Sequence, residues 1–332
     1  MSESTLTLTY EDFHKECAFT CGWPRVDSQN AGGLLTAAQL ERVDFCVRDG
    51  YRRFLMCDSD APGAGLHIWS FLRPAATFTT SKPNTVKTLT WSPTTKITTL
   101  VANASCFGPS VLNGTVRFST TTNEYPVVVY TSDTTVGFSG NLVALGEAGA
   151  FTVPNVGLPD DFGSLEWPIT FALGTGHAHI DDTGESQIRM LRQQNTALTP
   201  GRPRQAAVRA LRSDGTGGQR WQLMLHPIPD AMYPLGYRYN VLAEKLTHTA
   251  LYALGGMFHT QTILEGCLAA VELHIHRLPG IHAARFQELL ARSIAHDRNL
   301  AMPGTLGNLD DPTDRAAPRR RTGVTTYNGV AY

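Results

Sequence analysis

Residues 262–290 read TILEGCLAAVELHIHRLPGIHAARFQELL. Leu264, Cys267, Leu268, Val271, Ile275 and Leu278 recur at three- and four-residue spacing, one stripe of an α-helix. Phe286, Leu289, Leu290 and Ile294 repeat the pattern after the turn signal LPGIH, residues 278–282. Two apolar stripes joined by a turn this short predict an antiparallel helix pair. Within it, VELHIH (residues 271–276) looks like part of a metal site. In a helix, however, His274 and His276 point about 200° apart, and they cannot chelate one ion. An H-x-H pair chelates from a strand, where i and i+2 share a face. The apolar stripe decides for the helix, and both histidines sit in its last turn, where the helix dipole favours a cation.

Two further helices are expected upstream. TYEDFHKECAFTCGW (residues 9–23) gives a short one capped by Thr9. LTAAQLERVDFCVRDGYRRFLMCD (residues 35–58) gives a long one, opened by a capping box of Thr36 and Gln39. Leu40, Val43, Val47, Gly50 or Tyr51, and Phe54 form its apolar face, and Asp44 with Arg48 is a possible i,i+4 ion pair. Glycine in mid-helix costs about 1 kcal/mol relative to alanine. A backbone neighbour too close for a Cβ is the simplest reason for Gly50. The helical segments expected are thus 10–22, 34–57, 258–277 and 281–299.

Between them the composition changes. From Pro74 to Ile188 the only arginine is Arg117, and the stretch is rich in Thr, Ser, Gly and Val. KTLTWS, KITTLVA, GTVRFSTT and EYPVVVYT read as short strands between turn residues. Residues 85–152 are therefore expected to be an inserted all-β module, sandwich- or barrel-like. Beyond them come a short helix, ESQIRMLRQQ, and three strands, QAAVRALR, QRWQLMLHP and YPLGYRYNV. The first two are joined by the hairpin signal SDGTGG (residues 213–218). The fold class expected is α+β: a helical bundle body with a small antiparallel sheet (residues 1–84 and 153–300), the β module (85–152), and an extended C-terminal arm (301–332). The arm has no apolar period and carries Arg319, Arg320 and Arg321, so it reads as a segment that orders on a partner.

Composition narrows the function classes. The 332 residues carry a net charge of −1 and are 42% hydrophobic and 17% charged. That balance suits a globular chain and disfavours affinity built on phosphate neutralisation. No apolar run is long enough for a membrane span, and MSESTLTLTYEDFHKE lacks the basic start and apolar core of a signal peptide. The six cysteines form no C-x-x-C pair and fall mostly in apolar helical patterns, as reduced, buried thiols do. Cys17 and Cys21 share a helix face, but two ligands alone do not make a zinc site. No nucleophile elbow, phosphate loop, zincin or dinucleotide motif is present. One cluster keeps an enzymatic alternative open. In HAHIDD (residues 177–182), His177 and His179 would share a face if on a strand, with Asp181 as a carboxylate ligand of a metal-dependent hydrolase. Asp160 and Asp161, in LPDD, read as a solvated acidic pair. No cofactor is expected.

The ordered series of body segments resembles the head-to-tail adaptor (neck or connector) proteins of tailed bacteriophages, of the tail tubular protein A or podovirus adaptor type. The carriers are Asp49–Leu55 (DGYRRFL), Trp69–Pro74 (WSFLRP), Ala76–Thr80 (ATFTT), Leu158–Gly163 (LPDDFG), Gly201–Pro203 (GRP), Leu223–Asp230 (LMLHPIPD), Leu235–Val241 (LGYRYNV), Thr262–Leu273 (TILEGCLAAVEL), Phe286–Leu290 (FQELL) and Leu306–Asn308 (LGN). Each motif is weak alone, and the order gives the series its specificity. Shorter members of the family run almost directly from the ATFTT strand to the LPDDFG segment, so residues 85–152 are a departure. The resemblance implies a virion protein, made in the host cytoplasm, that forms a ring of usually twelve copies below the portal. It implies contacts with the portal and with tail, nozzle or tail-fibre proteins, and DNA passing through the lumen without specific binding. No catalysis is implied. Arg319, Arg320, Arg321, Tyr327 and Tyr332 of the arm are the expected portal contacts. Another tail-completion or decoration protein of the virion is the related alternative.

Overall fold

The computed structural model describes residues 4–29, 34–57, 67–119, 123–145, 149–194, 199–211, 218–278, 280–301, 326–327 and 330–331. Its elements run α1 (Tyr10–Thr20), α2 (Ala37–Leu55), β1 (Ala75–Thr79), β2 (Asn84–Ser92), β3 (Ile97–Ala102), β4 (Thr115–Phe118), β5 (Glu124–Ser132), β6 (Thr135–Ser139), β7 (Ala150–Gly157), β8 (Phe162–Phe171), β9 (Asp181–Asp182), α3 (Glu185–Gln194), β10 (Gln205–Ala210), β11 (Trp221–His226), β12 (Pro234–Val241), α4 (Met257–Val271), α5 (Ile281–Ala301), β13 (Thr326–Tyr327) and β14 (Val330–Ala331).

The expectation of a helical bundle body bearing a small sheet is wrong, although the chain is α+β overall. The dominant element is a nine-stranded mixed sheet, ordered β2-β3-β6-β5-β4-β7-β11-β10-β9, accompanied by a three-stranded sheet β1-β12-β8. The strands at 205–226 do not form a small sheet with β12. They continue the large sheet, because β11 pairs with β7 (Leu223 opposite Val156), while β12 lies between β1 and β8. The burial pattern supplies the reason. Gln222 to Leu225 are four consecutive buried residues, as in a strand covered on both faces. Such a strand cannot sit in a sheet that only lines one side of a bundle. A second pairing, Asn84 opposite Phe151, links β2 to β7, so the run β2-β3-β6-β5-β4-β7 closes on itself. Its interior holds Leu100, Phe107, Val116, Phe118, Val136, Phe138 and Phe151. Closure of this kind leaves no exposed strand edge.

Helices α1, α2, α4 and α5 share a separate core that includes Phe13, Val43, Val47, Phe54, Trp69, Cys267, Val271 and Phe286. The predicted capping box of Thr36 and Gln39 is present, and the predicted cap Thr9 forms a second box with Asp12. Helices α4 and α5 are antiparallel: the Phe258 and His296 rings are in contact, with centroids 4.5 Å apart, and the hydroxyls of Thr262 and Ser293 are 2.7 Å apart. Asp44 and Arg48 do not pair as expected. Asp44 accepts a hydrogen bond from the Tyr10 hydroxyl, and Arg48 lies over the Phe45 ring, 5.5 Å from its centroid. All six cysteines are free thiols, and all but Cys21 are buried. Strands β10 and β11 pair antiparallel, as a hairpin signal requires, although residues 212–217 of their turn lie outside the described residues. No helix among the described residues is long and apolar enough to cross a membrane.

Candidate functional site

The two histidine motifs resolve into separate contacts. After Val271, helix α4 widens into one π-helical turn, Glu272–His276. His274 Nε2 lies 3.0 Å from Asp49 Oδ2 on α2, and its ring meets Phe45 edge-on. His276 Nε2 lies 3.2 Å from the Thr20 carbonyl at the end of α1. The pair thus ties the π turn to two different helices. Burial raises the Asp49 carboxyl, but Arg52, His274 and Arg53 outweigh it and hold it below the usual value. Glu272 has its own task. Its carboxylate accepts from the backbone N–H of His282 and of Ala283, at 3.3 and 3.2 Å, and so caps the free amides that open α5.

In HAHIDD the geometry again separates the histidines. Strand β8 ends at Phe171, and His177 and His179 lie beyond it, outside any strand. His177 packs against Phe171 and Tyr233, and its Nδ1 accepts from Arg202 at 2.9 Å. His179 pairs with Asp181 at 3.0 Å. Among the described residues, no group of three or more His, Cys, Asp or Glu is arranged to hold a metal ion. The acidic pair has partners too. Asp160 pairs with Arg220, and Asp161 accepts from the Tyr239 hydroxyl.

Two polar clusters have no local signature in the sequence. The first joins α4, α5 and the turn at Ser70–Leu72. Asp297, only 2% exposed, accepts from the Ser70 backbone N–H at 3.0 Å and from the Ser70 hydroxyl. His67 Nε2 is 3.0 Å from the same carboxylate, within ion-pair distance though not aligned as a hydrogen bond. Both groups point at the carboxylate, so the imidazole does not face the Ser70 hydroxyl and the trio lacks the serine–histidine contact of an activated nucleophile. His259 sits beside it among Phe54, Trp69, Phe71 and His296. Its Nδ1 is buried without a partner among the described residues. Burial holds His67 and His259 below the usual imidazole value, with Asp297 opposing. These residues come from three distant segments, which no spacing rule connects.

The second cluster centres on Arg192 of α3. Its guanidinium donates to the carbonyls of Pro154 and Leu225 at 2.7 and 2.9 Å and to Asn155 Oδ1 at 3.0 Å. Glu124 lies 3.5 Å away. Asn155 in turn donates to Thr115 and Glu124. Burial pushes the Arg192 guanidinium down to about 10, against the pull of Glu124, so it stays charged at neutral pH. One buried cation therefore pins α3 across β7 and β11.

Of the expected portal contacts, Arg319, Arg320, Arg321 and Tyr332 lie outside the described residues, as does the LGN motif at 306–308. Tyr327 is in β13, which pairs with β14. No protein-family model and no curated protein matches the chain.

Proposed function

We propose that this chain is a structural virion protein, the head-to-tail adaptor of a tailed bacteriophage, forming a ring between portal and tail. One observation carries the reading. Six of the ten segments of the resemblance, dispersed along the chain, pack in two groups. DGYRRFL ends α2, and TILEGCLAAVEL is most of α4; the two helices cross where a Cβ on Gly50 would lie 2.4 Å from the Cys267 backbone. WSFLRP places Trp69 on Phe54, with ring centroids 4.6 Å apart. ATFTT, LPDDFG and LGYRYNV supply β1, the start of β8, and β12, which form one sheet. In support, the helices leave Phe19, Phe258, Leu273, Leu278, Ile281 and Leu300 largely exposed, apolar surface of the kind that neighbouring subunits cover. The near-neutral net charge of −1 suits a channel that must release DNA. In this reading residues 301–332 are the docking arm, and 85–152 are an addition that shorter family members lack.

The test is copy number and position. The protein is mixed with the portal protein of the same source and imaged by electron microscopy. A closed ring of usually twelve copies at the portal's tail-side face is expected. One to three copies per particle, or a position on the capsid shell, overturns the reading. Deleting 301–332 should leave a folded body that no longer binds portal, and unchanged binding removes the arm from the interface.

A further inference from the structure

A cavity of about 360 Å³, open to solvent on one side, lies between the C-terminal half of α2 and residues 241–245. Its apolar lining includes Tyr51, Leu55, Leu72 and Leu242, and its charged rim is Arg48, Arg52, Lys245 and Glu244. Arg52 is already paired with Asp49 at 2.8 Å. Among the described residues, neither Arg48 nor Lys245 has a carboxylate within ion-pair distance, and Arg48 rests only on the Phe45 ring. The rim is therefore net positive. Met56 and Leu242, at its lips, are 66% and 61% exposed.

The wall opposite α2 carries unused backbone. Strand β1 leaves β12 at Arg238, opposite Ala75, while β12 continues to Val241 on β8 alone. Leu242 N–H still donates to the Asp161 carbonyl. Beyond it, the peptide groups of Ala243, Glu244 and Lys245 make no hydrogen bond among the described residues. Unpaired backbone just past a strand end, beside an apolar cavity, can capture an extended peptide: main-chain pairing gives affinity, and pockets select side chains.

We propose that this cavity binds an extended acidic segment of a partner protein. The segment pairs with residues 243–245, seats one aliphatic side chain on Tyr51, Leu55 and Leu72, and sets its carboxylates against Arg48 and Lys245. The volume is at the low end for ligand pockets, room for one or two side chains rather than a cofactor. A fatty acid would match the lining and the charge but leave the 243–245 peptide groups unused, which favours the peptide.

The probe is a random heptapeptide library displayed on filamentous phage, selected against the intact chain. The expected winners combine an aliphatic residue with Asp or Glu. A fluorescein-labelled winner should lose affinity about ten-fold or more on the Arg48→Glu/Lys245→Glu double variant, as charge reversal at an interface predicts. It should keep affinity on Arg189→Glu, a charge reversal on α3 outside the cavity lining. Circular dichroism checks that each variant folds. Should the double variant not fold, Lys245→Glu, in an exposed loop, reads the same effect. Enrichment of no sequence, winners without acidic residues, or unchanged affinity on the Lys245 variant overturns the proposal. So does dodecanoate binding at these residues while no peptide is selected.

Discussion

Gly50 of α2 and Cys267 of α4 meet backbone to backbone, so that a Cβ at position 50 would lie 2.4 Å from the Cys267 amide nitrogen. Gly266 stands at the same crossing, where its own Cβ would lie 3.1 Å from the Gly50 carbonyl oxygen. Two effects oppose each other in Gly50→Ala. Helix propensity favours alanine by about 1 kcal/mol. The steric clash falls on backbone, which cannot rotate away, and overpacking costs typically 1–3 kcal/mol or more. The clash should win, with a net loss of about 2 kcal/mol in urea unfolding. A Gly50→Ala protein as stable as the parent would mean that the helices are not this close.

That crossing was legible in the sequence, since a glycine inside an apolar helical face calls for a neighbour. So were the Thr9 cap, the Thr36–Gln39 capping box and the antiparallel α4–α5 pair, all of which rest on local spacing. The partition of strands was not. Nothing local in WQLMLH says whether it pairs with β7 or with β12, because pairing is a long-range choice between similar edges. The same limit hid the clusters around Asp297 and Arg192, whose members are neighbours only after folding. The shared strand face considered for His177 and His179 fails for a related reason. The strand before them stops at Phe171, and two-residue periodicity means nothing outside a strand.

Glu272 should behave as the cap of α5. Its carboxylate takes the N–H groups of His282 and Ala283, and Gly280 leaves it room, since a Cβ there would lie 2.0 Å from Glu272 Oε1. Glu272→Ala is expected to cost about 1 kcal/mol, the usual loss of a cap. Glu272→Gln should lose less, keeping one acceptor but not the charge that suits a helix N-terminus. Chemical denaturation of the two variants gives the order. A glutamine variant weaker than the alanine variant would contradict the capping role.

Arg192 is expected to be far less tolerant than an ordinary helix arginine. Arg192→Leu strands the Pro154 and Leu225 carbonyls and takes from Glu124 one of its two arginines, leaving Arg209 at 3.5 Å and the Asn155 amide. Removing one partner from a buried charged network costs about 3–5 kcal/mol. Arg192→Lys keeps the charge, but one ammonium cannot reach both carbonyls and Asn155 in a fork, so it should recover only part. Limited proteolysis gives a specific readout, because α3 should become the first cleavage site. Cleavage elsewhere, with α3 still protected, would show that Arg192 is not what holds this helix.

Stability should fall on both sides of neutrality, for reasons that can be separated. His67 and His259 are held below the ordinary value of 6.5, with burial the largest cause in each. In the unfolded chain they protonate at about 6.5, while in the folded chain they stay neutral to lower pH. Below about 6.5 the unfolded state therefore binds more protons, and stability declines as pH falls. The thiols act in the opposite sense. Burial pushes Cys21 and Cys46 up to about 12 and Cys57 and Cys106 up to about 11, from 9.0. Above about 9 the unfolded thiols ionise first, and stability declines as pH rises. Melting temperature should be highest between these limits. His259→Phe tests the acid limb, because phenylalanine suits the ring cluster of Phe54, Trp69 and Phe71 and cannot protonate. The variant should flatten the decline below pH 6.5 and leave the alkaline limb unchanged. An acid limb as steep as that of the parent would rule out His259 as a source of the acid sensitivity.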